Sequence, residues 1–203
     1  MAQITFMMGT MSSGKTTHLL QSHFNLNKAF PNEVMLINKN DRSGDSVCTN
    51  RMGGMSHSTG VCEQTTLTDA VKNFEEMFST EVRYIFIEEV QFFTIDQINE
   101  LPHLADHSNI EIIAYGLLTT YKGSLFPATQ RLLEVSDRIV QMRNGVRCWC
   151  GARATHNALF KGGKGVSAGE TEIVDNDELV IDYQVMCRRH FLEHIEFTKR
   201  PRT

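Results

Sequence analysis

Residues 9–16 read Gly9-Thr10-Met11-Ser12-Ser13-Gly14-Lys15-Thr16, a loop bounded by glycines and closed by a lysine and a hydroxyl. The spacing is G-x-x-x-x-G-K-[ST], which suits polyphosphate binding. Glycines let backbone N–H groups turn inward around phosphate oxygens. Lys15 reaches the β- and γ-phosphates as a point charge, and Thr16 offers its hydroxyl to Mg²⁺. A helix that starts here aims its positive end at the same anions. ATP or GTP is the expected ligand.

A second acidic element follows downstream. The apolar run Tyr84-Ile85-Phe86-Ile87 leads into Glu88-Glu89-Val90-Gln91-Phe92-Phe93. Carboxylates at the end of a core strand suit the Mg²⁺-binding position of an NTPase. Two adjacent acids can divide the work, one holding Mg²⁺ through water and the other accepting a proton from an attacking hydroxyl.

A third constellation lies near the C-terminus. Cys148-Trp149-Cys150 and Cys187-Arg188-Arg189-His190 form two close-spaced pairs. Three thiolates and an imidazole make a closed tetrahedral site, so structural zinc is expected. Such a site staples a unit too small to supply its own core. Cys48 and Cys62 are read as free thiols, and His103 with His107 as part of a solvated helix face.

These side chains need a scaffold, and the apolar periodicity predicts one. Strands are expected at 4–8, 34–37, 84–87 and 110–115, with helices at 16–28, 67–78 and 95–104. The alternation implies an α/β fold, a parallel sheet with helices on both faces. Its ligands gather at the carboxyl ends of the strands. Residues 40–60, rich in Gly, Ser, Asn and Asp, read as a long loop without structure. The pattern changes near Gly145. Strand-like stretches at 154–160 and 179–186 then flank a flexible Lys161-Gly162-Gly163-Lys164-Gly165. Two domains are expected, 1–145 binding nucleotide and 146–203 binding zinc.

Composition narrows the class. The 203 residues are 41% hydrophobic and 22% charged, enough for one good core and a small appendage. A net charge of −4 offers no basic surplus, which argues against a nucleic-acid partner. No apolar stretch is long enough to span a bilayer. The first cation is Lys15, so no signal peptide is expected, and an odd count of five cysteines fits a reducing, cytoplasmic interior.

The order of these motifs resembles the thymidine kinases of the human cytosolic and bacterial type. The resemblance runs from Ile4 to about Phe191 and includes Tyr115-Gly116-Leu117-Leu118-Thr119-Thr120-Tyr121, followed by Gly123-Ser124-Leu125-Phe126. It implies a RecA-like P-loop domain with a small zinc-held lasso domain, using ATP, Mg²⁺ and structural Zn²⁺ to phosphorylate a nucleoside. Glu89 corresponds to the catalytic base, while Lys15 and Thr16 correspond to the phosphate- and Mg²⁺-binding pair, with Glu88 on Mg²⁺. The ATP site would comprise 9–16, Glu88, Glu89, Val90, Gln91 and Arg42. Met11, Phe92, Tyr121 and Phe126 correspond to the thymine pocket, and Tyr183 to a deoxyribose contact. Arg42 and Arg51 fall in the loop over the phosphates. A homotetramer is implied.

The sequence departs from that family at four places. Glu88 stands for Asp, Asn40 for Asp, Tyr121 for Phe, and Asp175-Asn176 for a Gly-Gly pair in the lasso. Two other readings compete. One is a P-loop NTPase whose zinc module docks a partner. The other is a zinc-ribbon protein that binds nucleic acid, which the net charge disfavours.

Overall fold

The computed structural model describes residues 2–39, 47–49, 54–142, 146–169 and 181–199. Arg42, Arg51, the Asn40-Asp41 pair and lasso residues 173–176 lie outside the described residues.

The chain opens with β1 (Ile4–Met8), α1 (Lys15–Ala29) and β2 (Val34–Lys39). Three short strands follow, β3 (Val47–Thr49), β4 (Met55–His57) and β5 (Thr59–Val61). Then come α2 (Leu67–Phe78), β6 (Tyr84–Ile87), a 3₁₀ turn (Val90–Phe92), α3 (Ile95–Ser108), β7 (Glu111–Gly116), α4 (Pro127–Val135) and β8 (Arg138–Gln141). The C-terminal part holds β9 (His156–Lys161), β10 (Lys164–Val166), β11 (Ile181–Met186) and α5 (Arg188–Lys199).

Six strands form one sheet in the order β5-β2-β6-β7-β1-β8. Every neighbouring pair is parallel. Successive side chains point to opposite faces, and both faces of the four inner strands are largely buried, so those strands are mostly apolar. Met35, Ile37, Ile85, Ile87, Ile112 and Ala114 pack on one side against α2, α3 and α4. Val34, Leu36, Phe86 and Tyr115 pack on the other, against Leu19 and Leu20 of α1. The α/β expectation is met. The helices start where the chemistry predicts: Thr94 and Gln97 cap α3 reciprocally, and Thr66 caps α2 through the Asp69 N–H.

Three expectations need correction. Residues 40–60 are not structureless throughout. β3 pairs antiparallel with β4, and β5 joins the edge of the main sheet beside β2. Polar composition hid them, because short strands at an edge need little apolar content. The stretch 161–165 is the turn of a hairpin rather than a flexible segment. Lys161 pairs with Lys164 across Gly162 and Gly163, both at positive φ (55° and 73°), which two-residue hairpin turns of this kind require. Finally, α4, β8 and α5 were not among the expected elements.

The C-terminal part builds its own sheet, β10-β9-β11, all antiparallel. Its core is small: Cys148, Ala158, Met186, Cys187 and Phe191. No helix among the described residues is long and apolar enough to cross a membrane.

Candidate active site

The glycine loop leaves β1 at the carboxyl edge of the sheet and enters α1. Gly9 cannot be larger, since a Cβ there would sit 2.3 Å from Ser13 Oγ. Gly14 takes φ 79° directly before the helix, a conformation that glycine reaches without strain. Lys15 is 7% exposed, and its ammonium donates to the Thr10 carbonyl at 3.0 Å. Burial lowers its pKa, while Glu89 and Glu88 push it back up.

Both acids follow β6 directly. Thr16 Oγ1 donates to Glu88 Oε1 at 2.8 Å, joining the loop to the acidic element. Two oxygens on adjacent vertices of an octahedral Mg²⁺ site lie about 3 Å apart, so this pair fits that cation. Burial pushes the Glu88 carboxyl up to about 7, with Glu89 adding to the shift and the Thr16 hydroxyl and Lys15 opposing it. Glu89 occupies the left-handed region at φ 48°, ψ 47°. A non-glycine residue there costs of order 1 kcal/mol or more and persists only when its surroundings hold it.

Val90 and Gln91, expected beside ATP, turn their side chains into the protein. Val90 is fully buried and Gln91 is 3% exposed. Gln91 Nε2 donates to Glu89 Oε2, and Gln91 Oε1 accepts from the Leu117 N–H at 2.9 Å.

The expected base pocket is partly assembled. Phe92 and Phe126 meet edge to face with centroids 6.1 Å apart. Tyr121 is buried, and a Cβ on Gly169 would lie 3.3 Å from its hydroxyl, so the chain beyond β10 passes over it. Tyr183 of β11 is opposite Leu159, on the same sheet face as Asn157. Asn157 Oδ1 in turn accepts from the Met11 N–H at 2.9 Å. The C-terminal sheet is thereby joined to the phosphate loop.

Three contributors were missed in the sequence. Asn157 sits in a strand with no motif around it. Lys39 reaches across from β2 to donate to the Phe92 carbonyl at 2.5 Å. Gly116 lets Gln91 approach, since a Cβ there would stand 2.6 Å from Gln91 Oε1. A lysine at the end of an apolar strand, and Gly116 within the Tyr115–Tyr121 motif, were the signals available.

The four expected metal ligands do meet. Cys148, Cys150, Cys187 and His190 place their donor atoms within 4.8 Å of one another. Cys150 Sγ and Cys187 Sγ are 3.9 Å apart, and His190 Nδ1 lies 3.2 Å from Cys148 Sγ and 3.6 Å from Cys187 Sγ. Tetrahedral Zn²⁺ with ordinary bond lengths sets about 3.8 Å between sulfurs and about 3.6 Å between sulfur and nitrogen. The set fits zinc, and with four protein ligands it leaves no open position. All five cysteines are free of disulfides. Cys48 is not a reactive thiol, since burial, Glu88 and Glu89 push it up to about 12.

With this geometry in view, comparison with known proteins is decisive. A family model described as "Thymidine kinase" matches residues 2–191. The chain belongs to the thymidine kinase family. Among curated relatives, the thymidine kinase of Streptomyces avermitilis is 33% identical over 94% of this chain and 88% of its own. That of Streptomyces coelicolor is 35% identical over the same shares. That of Cutibacterium acnes is 33% identical over 96% of this chain and 90% of its own. Membership makes the chain a nucleoside kinase, a transferase that uses ATP.

Proposed function

We propose that the protein transfers the γ-phosphate of ATP to the 5′-hydroxyl of thymidine and so serves nucleotide salvage. The observation that carries this reading is the contact of Thr16 with Glu88 beside Lys15 and Glu89. It supports the reading because a candidate cation pair, a buried ammonium and a second carboxylate then lie together beyond β6.

In this reading Glu89 takes the proton of the 5′-hydroxyl. The nucleoside oxygen forms its bond to the γ-phosphorus as the bond to the β–γ bridging oxygen breaks, and ADP leaves. Lys15 neutralises charge on the transferred group, and Thr16 and Glu88 would hold a Mg²⁺ that would supply the rest of that neutralisation. Backbone N–H groups of 9–16 cradle the phosphates, with Arg42 closing from outside. Phe92, Phe126, Tyr121 and Met11 surround the base, and Tyr183 meets the sugar.

We read 1–145 and 146–203 as separate domains, supported by their separate sheets, and the assembly as a homotetramer in a reducing cytoplasm. Light scattering on the zinc-loaded protein tests the tetramer.

The test of the reaction is transfer of labelled γ-phosphate from ATP–Mg²⁺ to thymidine, deoxyuridine, deoxycytidine, deoxyadenosine and deoxyguanosine, beside a tube without nucleoside. Labelled product with thymidine, alone or with deoxyuridine, is expected. Free phosphate released at one rate in every tube would instead mark an NTPase.

A further inference from the structure

We propose that Gln91 is a positioning residue for the reaction, holding the Glu89 carboxylate in place rather than contacting ATP. The inference rests on the reading of Glu89 as the base.

Both ends of the Gln91 amide are committed. Nε2 donates to Glu89 Oε2, and Oε1 accepts from the Leu117 N–H just beyond β7. At 3% exposure the side chain cannot reach a phosphate without abandoning both partners. The amide therefore ties the acidic element to the neighbouring strand and leaves Glu89 Oε1 for a substrate hydroxyl. The space for this is specific: at Gly116 a Cβ would meet Gln91 Oε1 at 2.6 Å and Val90 Cγ1 at 2.8 Å.

The backbone explains why a tether is needed. Glu89 lies at φ 48°, a conformation that relaxes unless held. The turn is gripped at three points. Glu88 N–H donates to the Ile37 carbonyl at 2.9 Å, Lys39 Nζ donates to the Phe92 carbonyl, and Gln91 fixes the Glu89 side chain between them. The first two grips set the backbone. Among the described residues, Gln91 alone hydrogen-bonds the Glu89 carboxylate.

Gln91→Glu keeps the shape and the acceptor for Leu117 but sets a second carboxyl against Glu89 in place of the amide donor. Gln91→Met removes both bonds and serves if the paired carboxylates unfold the turn. In each, kcat is expected to fall between about 10- and 100-fold, the range that a small misplacement of a reacting group produces. KM for ATP and thymidine should stay within about 3-fold of wild type, and neither change should lower kcat further in a Glu89→Gln background. A rise in KM for ATP at unchanged kcat would return Gln91 to the phosphate site and overturn the proposal. A Glu89→Gln enzyme that keeps its kcat removes the base and this proposal with it. An inactive Glu89→Gln beside active Gln91→Glu and Gln91→Met removes the proposal alone.

Discussion

Asn157 Oδ1 and the Met11 N–H are 2.9 Å apart although 146 residues separate them in the chain. Asn157 is 4% exposed, so water does not compete well for the bond. The loop at 9–16 is thus held from two directions, by the Gly116 carbonyl on Gly9 N–H and by the C-terminal sheet on Met11 N–H.

Asn157→Ala leaves a part-buried N–H without its acceptor, a loss of about 1–3 kcal/mol. Thermal melting should shift down by several degrees, and ATP affinity should weaken because the loop loses one of its anchors. Scanning calorimetry with a nucleotide titration checks both. Unchanged affinity would confine the bond to stability.

Removing zinc should unfasten the C-terminal sheet and spare the rest. Among the described residues its buried apolar cluster is Cys148, Ala158, Met186, Cys187 and Phe191, with Phe160 and Ile195 packed on it and two of the four candidate zinc ligands among its members. The main sheet carries two larger clusters of its own. After chelation, hydrogen exchange should show β9 and β11 losing protection while β1, β6 and β7 keep theirs. Cys187→Ser should behave the same way. Protection retained in β9 would mean that zinc is not the staple.

Glu88→Gln keeps the size of the side chain and removes its charge. The Mg²⁺ concentration for half-maximal rate should rise about tenfold, in keeping with the loss of a carboxylate ligand. In the wild type that requirement should also rise as pH falls through about 7, since burial and Glu89 hold the Glu88 proton on well above the usual carboxylate range. The variant should lose this pH dependence. Rate measured against Mg²⁺ at several pH values decides it.

Acid should destabilise the protein through its buried histidines. Burial lowers the pKa of His23, His156 and His194, with Arg188 adding to the effect at His156. A histidine lowered below its unfolded value near 6.5 binds fewer protons when folded, so stability is lost as pH falls below that value. His23 also links α1 to β4 through Ser56 Oγ at 3.2 Å. His23→Gln should therefore flatten the fall of melting temperature between about pH 6.5 and 5. An unchanged slope would move the effect to the other two.

What could be read from sequence was local. The phosphate loop, the paired acids and the two metal pairs each hold their members within a few residues, so spacing alone constrains how they meet. Strands β1 and β6 and helix α2 were legible because their apolar pattern runs uninterrupted. The family followed from the order of these pieces along the chain. The tertiary structure decided what joins distant segments. It put β5 at the edge of the main sheet, turned Gln91 inward from the ATP side to Leu117, and set Asn157 against Met11. None of these leaves a trace in composition or period. A hydrogen bond between remote segments depends on packing, and a polar residue on a strand looks the same in sequence whether it faces solvent or the phosphate loop.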